Sequence, residues 1–244
     1  MAVQLIKKGE FIFIMKKTKL MVAGLMISTM LLGGVSSAFA TESTGTIEFT
    51  ENKGGGDPSD PEEPDEKNPD PVKPTPEVGP LILKVVPIFD FGSHEVNQAG
   101  GTYDDTETVT NYLEVRDNRD AGMNGWSVTA SRTEFTSGSK SLTGSALALP
   151  KGVVRNSIAN ATQGNTATTD AIADDTILAT AATIPLTGST VEVLKTVKRN
   201  DLIGKGNTTS NIAETTPASL TVAPGTAAIG TFTSTITWTV TAAP

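Results

Sequence analysis

Few residues in this chain are equipped for covalent or acid–base chemistry. His94 is the only histidine and there is no cysteine. A nucleophile–base pair would have to use His94, with Asp90 or Asp105 to orient it, yet no nucleophile-elbow pattern accompanies them. The missing thiols also exclude a disulfide framework, a zinc–thiolate site and a thiol nucleophile. Glu107, Glu114 and Asp117 offer carboxylate pairs of the kind that glycoside hydrolysis uses, but any acidic chain offers such pairs. The expectation is a protein with no catalytic residues, no metal ligands and no cofactor.

Trp126 and Trp238 are of a different kind. An indole presents a flat apolar face to the C–H side of a saccharide and an N–H donor at its edge. Each opens the same short pattern, in GWSVTAS and TWTVTAAP, with Val128 and Val240 two residues on. In both segments the Trp is in phase with apolar neighbours, which favours a place in the core or at its edge. The other reading is a pair of sugar-stacking platforms. Asp117 and Arg119 flank the turn before Trp126 and read as a turn-stabilising Asp and a surface Arg, or secondarily as ligand contacts.

These residues need strands to position them. Thr, Val, Ile, Ala, Ser and Gly dominate the second half of the chain, a strand-forming composition. Leu81–Phe91 reads as a strand, a bend at Pro87 and a second short strand, and 111–117 as a strand with Leu113 and Val115 inward and Tyr112, Glu114 and Arg116 outward or sideways. Gly125–Ser131 places Trp126, Val128 and Ala130 on one face. Further strands are expected near 145–150, 182–185, 190–194 and 218–222, and a helix near 169–182 is considered and set aside for its threonines. The clearest strand is the last, with Phe232, Ser234, Ile236, Trp238 and Val240 on one side and threonines on the other. The fold class is all-β, a β-sandwich or Greek-key-like barrel. Residues 81–244, about 160 of them, suit one domain.

Two segments precede it. From Met15, Lys16, Lys17 and Lys19 lead into an apolar run from Leu20 to Val35 and then Ala38-Phe39-Ala40, which is a secretory signal with the mature chain starting at Thr41. Residues 1–14 lie upstream of the more natural start. Residues 41–50 alternate around Ile47 and Phe49, enough for one short strand. Residues 51–80 hold Gly54-Gly55-Gly56 and eight prolines among Asp and Glu, read as an extended, disordered acidic spacer whose proteolytic removal leaves a fragment starting between Val72 and Leu81. The net charge of −8 argues against nucleic-acid binding. No sorting signal, lipidatable Cys or transmembrane anchor is read in the mature chain, so its domain is expected to hold it at the surface.

On these residues a resemblance can be stated. The two Trp-x-Val segments resemble the paired Trp-x-Leu motifs of the WxL-domain surface proteins of Gram-positive bacteria, with Val128 and Val240 in place of Leu. GPLILKVVPIFDFGSHEV resembles that family's opening, and the block from Asp117 and Arg119 to Gly125-Trp126 resembles its first Trp motif. The resemblance implies secretion, non-covalent attachment to the cell wall with peptidoglycan as ligand, and companion surface proteins of the same locus as partners. An alternative within the same frame is an interaction subunit that binds companions by adding a strand at the open edge of its final strand.

Overall fold

The computed structural model describes residues 44–244 except Lys53, Ala121, Met123, Arg199, Asp201 and Pro244. The signal segment read at 15–40 lies outside the described residues. Residues 48–244 form one compact unit.

The fold is all-β, and among the described residues there is no α-helix. One antiparallel sheet runs β1 (Leu81–Val85), β3 (Tyr112–Asp117), β12 (Gly206–Asn211), β8 (Val153–Asn156). A second runs β10 (Ala182–Ile184), β7 (Ala146–Leu149), β13 (Ser219–Val222), β2 (Gly101–Asp104). The third runs β14 (Ile236–Ala242), β4 (Trp126–Arg132), β11 (Val191–Thr196), β9 (Ile177–Ala179), and β5 (Thr136–Ser137) pairs with β6 (Lys140–Ser141) as a hairpin. No neighbours in the three four-stranded sheets are consecutive strands, as in sandwich and Greek-key architectures. The sheets share one core, in which Leu83, Val115, Trp126, Val128, Leu147, Ile177, Ile184 and Leu194 are buried together.

Several expected strands are present where the pattern placed them. β4 alternates buried and half-buried residues from Trp126 to Arg132, and the terminal segment keeps its alternation, half-buried at Phe232, Ser234, Ile236, Trp238 and Val240 and exposed at the intervening threonines. There are differences. Residues 86–91 form no second strand, because Pro87 cannot donate to a ladder and the chain turns away from the sheet. Residues 44–50 are not a strand, and Ile47 and Phe49 are exposed.

The largest difference concerns the acidic proline-rich segment, expected to be a disordered spacer. Over residues 57–72 it is a strap laid on the outer face of the β1–β3–β12–β8 sheet, with Ser59, Asn68 and Val72 buried. Tyr112 donates its hydroxyl to the Ser59 carbonyl at 3.0 Å, Asn207 donates to Ser59 Oγ at 2.8 Å and to the Pro64 carbonyl at 3.1 Å, and Thr209 donates to the Pro61 carbonyl at 2.8 Å. Prolines lack N–H donors but keep their carbonyls. A sheet face rich in donors can therefore hold a segment that could never form a ladder. Tyr112, Glu114 and Arg116, read as outward or sideways, face the strap: Glu114 is fully buried and accepts the Ser59 amide at 2.9 Å and its hydroxyl at 3.2 Å. Val72 packs on Val85 and Tyr112 as a small apolar patch under the strap.

Candidate functional site

β4 and β14 lie side by side, and their register is symmetric. Trp126 sits opposite Ala242, Val128 opposite Val240, and Ala130 opposite Trp238. Each Trp-x-Val-x-Ala segment thus sets its large indole against the other's small alanine on a shared face, which lets the two strands approach along their whole length.

The two tryptophans nevertheless have different surroundings. Trp126 belongs to an interior strand and is buried, at 1% exposure. Its indole N–H donates to the Gly204 carbonyl at 3.2 Å, and its amide donates to Thr196 Oγ1 at 3.0 Å. Glycine is required at both neighbouring positions. Gly125 has φ of 35° and a Cβ there would meet Thr196 Oγ1 at 2.0 Å, while a Cβ on Gly204 would lie 2.9 Å from the indole nitrogen. Val128 is completely buried. Trp238 and Val240, on the edge strand, are only half-buried, packed by one side against the core. The position of β4 inside its sheet and of β14 at the edge thus gives the two motifs different surroundings.

Asp117, which is buried, and Arg119, which is half-buried, form a pair that belongs to the fold. Arg119 Nε and a terminal nitrogen each reach a different Asp117 oxygen at 2.8 Å, and the same guanidinium donates to the Gly125 carbonyl at 2.7 Å. Lys205 adds a second cation 3.5 Å from Asp117. The pair clamps the turn that delivers Trp126, with Arg119 withdrawn from the surface where the sequence reading placed it.

The candidate catalytic groups are committed elsewhere. His94 Nε2 lies 2.6 Å from the Phe91 carbonyl and its ring lies on Tyr103. Asp105, its carboxyl raised above the usual range by burial, accepts the Asp90 amide at 2.8 Å and the Asn111 amide group at 2.9 Å. Glu107 accepts the backbone amides of Thr108, Val109 and Thr110, which hold its carboxyl below the usual range against the opposing effect of burial. Glu114 is sealed under the strap. Among the described residues, no group of three or more His, Asp or Glu side chains is placed to hold a metal ion.

Of the concave surfaces among the described residues, two are polar and lie against the strap, and one is aromatic. A cleft of about 580 Å³ opens between the 86–96 loop and the segment leading into β14. Phe89, Phe91, Phe135, Phe232, Tyr103 and Trp238 line it, so every phenylalanine downstream of the strap contributes. Phe89 and Phe91 stack at 6.2 Å and Phe91 meets Phe135 edge-on at 6.3 Å, with the Arg132 guanidinium 5.4 Å from the Phe135 ring. Phe89, Phe91, Phe232 and Trp238 keep part of their surface open. Of the residues singled out from sequence, Trp238 lines this cleft together with Asp90, His94, Phe232 and Ile236. The signal for the rest was the Phe-Asp-Phe spacing at 89–91, which puts two rings on one side of an extended chain just where Pro87 frees it from the sheet.

The family model for the WxL domain, described as surface cell wall-binding, matches residues 37–244. The chain belongs to the WxL family. This WxL chain is thereby a cell-surface protein with a wall-binding domain, and the match includes the strap together with all fourteen strands among the described residues. No curated protein and no solved structure matches it.

Proposed function

We propose that this WxL domain is a non-catalytic attachment module that holds an exported chain to the wall without a covalent bond, with peptidoglycan as its ligand and the aromatic cleft as the place where the glycan is held. The observation that carries the reading is the cleft itself. Half-open aromatic rings on both of its walls offer the flat apolar faces on which saccharide rings stack. Its volume of about 580 Å³ falls within the about 300–1,000 Å³ of small-ligand sites, enough for a short stretch of glycan. Trp238 is the motif residue that meets the ligand. Trp126, Val128, Asp117 and Arg119 build the strand and turn against which β14 is laid.

Charge supports the same mode. A chain of net charge −8 gains nothing from cationic attraction to anionic wall polymers, so contact has to be apolar and hydrogen-bonded. The test is a binding isotherm on purified peptidoglycan sacculi, with the supernatant assayed for released sugar or peptide fragments. Saturable binding without release is expected. Release of fragments would make the chain a hydrolase, and no binding would remove peptidoglycan as the ligand.

A further inference from the structure

The strap does more than cover a sheet. Between it and the 108–112 segment lies a second cavity, of about 550 Å³, with a polar lining. Four carboxylates border it, those of Asp60, Glu62, Glu63 and Asp70. Asp60 accepts the backbone amides of Glu62 and Glu63 at 2.8 and 3.3 Å, and none of the four takes part in an ion pair among the described residues. Arg155 also lines the cavity, but its guanidinium is already committed to Glu214, with one contact at 2.9 Å, and Asn211 donates to the same carboxylate at 2.8 Å. The four negative charges are left without a counter-charge from the chain.

Acidic side chains alone do not make a site, and a separate feature of this cavity is Asn111, which lines it and is 3% exposed. Its amide nitrogen donates to Asp105 Oδ2 at 2.9 Å and to the Glu107 carbonyl at 3.2 Å. Both partners are acceptors, which fixes the orientation of the amide. Its Oδ1 has no partner. Buried acceptors are ordinarily paired, so this one lacks a donor beside four uncompensated carboxylates.

We propose that this cavity is a second binding site, separate from the aromatic cleft, for a primary ammonium group carried on a peptide. An alkylammonium has three donors and no acceptor, which matches a site that offers acceptors and no free cation. Asn111 Oδ1 is its neutral acceptor, and the strap carboxylates supply the opposite charge. A ligand carboxylate would find Arg155 taken. A metal ion fits less well, because among the described residues no group of three or more acids is placed to hold one. The cavity is larger than an ammonium group fills, and the side chains of Thr108 and Thr169 offer uncharged contacts to the amides on either side of the amine. The net charge of −8 favours the approach of a cation. The site does not depend on peptidoglycan being the ligand of the cleft.

The test is a titration of the isotopically labelled mature chain, followed by amide NMR shifts, with Nα-acetyl-lysine amide up to about 50 mM at low salt. The same compound acetylated on its side-chain amine, and calcium chloride, serve as comparisons. Glu62→Gln/Glu63→Gln and, separately, Asp70→Asn remove charge from exposed side chains, and unchanged melting temperatures check the fold. The expected result is saturable shifts at Thr108, Val109 and Ala213 with the free amine, none with the acetylated compound, and binding weakened roughly fivefold to tenfold in the double variant. Equal response to the acetylated compound overturns the proposal. So does indifference to both variants, the absence of shifts at these residues, or saturation by calcium without a response to the amine.

Discussion

Trp126 and Trp238 carry the same local pattern, and what separates them is cover. Trp126 is enclosed, with its N–H satisfied by Gly204. Trp126→Ala leaves a large cavity and should cost about 3–5 kcal/mol, lowering the melting temperature by roughly 10 °C in a domain of this size. A shift of a degree or two in a thermal melt would contradict that placement. Glu114 supplies a second residue-scale test. Burial pushes its carboxyl above the ordinary glutamate range, more than the Ser59 and Arg116 hydrogen bonds lower it, and Lys84 and Asp57 lie within electrostatic reach. A carboxyl whose native pKa is raised contributes stability that is complete below its unfolded pKa and lost as pH rises through the native one. Glu114→Gln should therefore flatten the fall of melting temperature on the alkaline side of the usual glutamate pKa, leaving the like-signed contribution of buried Asp105. A pH profile identical to that of the parent would show that Glu114 pays no burial penalty.

At the scale of elements, the strap changes where the domain begins. A chain starting at Leu81 loses the partners of Tyr112, Asn207, Thr209 and Glu114 and exposes a face built to be covered. Each buried polar group left without its partner costs about 1–3 kcal/mol, so this truncation should be far less stable than a chain starting at Asp57. Limited proteolysis should correspondingly stop near the Gly54-Gly55-Gly56 run instead of between Val72 and Leu81, and a stable fragment starting at Leu81 would sink this view of the strap. The strap was illegible for a physical reason. Composition reports that Pro and Asp cannot form a core or a ladder, but it is silent on whether another surface supplies donors for their carbonyls. β12 was hidden by the same interaction: GNTTSN has no apolar residue to mark it, and of its buried side chains Thr208 accepts from Asn156 of β8, Thr209 donates to the Pro61 carbonyl of the strap and Asn211 donates to Glu214. β4 and β14 were legible because their period-two pattern records one-sided burial directly. The aromatic cleft lay between these cases, since its rings come from loops and strands far apart in sequence.

For the whole molecule, the proposed attachment rests on one aromatic cleft in an acidic chain. Binding to sacculi should then survive salt, because contacts of this kind are not screened as surface charge pairs are. Elution by moderate salt alone would point to an electrostatic mode instead. The most direct measurement joins fold and attachment in one variant. Trp238 is half-buried at the rim of the cleft, so Trp238→Ala should lose less than the about 3–5 kcal/mol of an enclosed tryptophan and remain folded. Measured together, its melting temperature and its binding to sacculi should separate, with the fold retained and wall binding lost. A folded Trp238→Ala chain that binds sacculi as tightly as its parent would contradict attachment through the cleft.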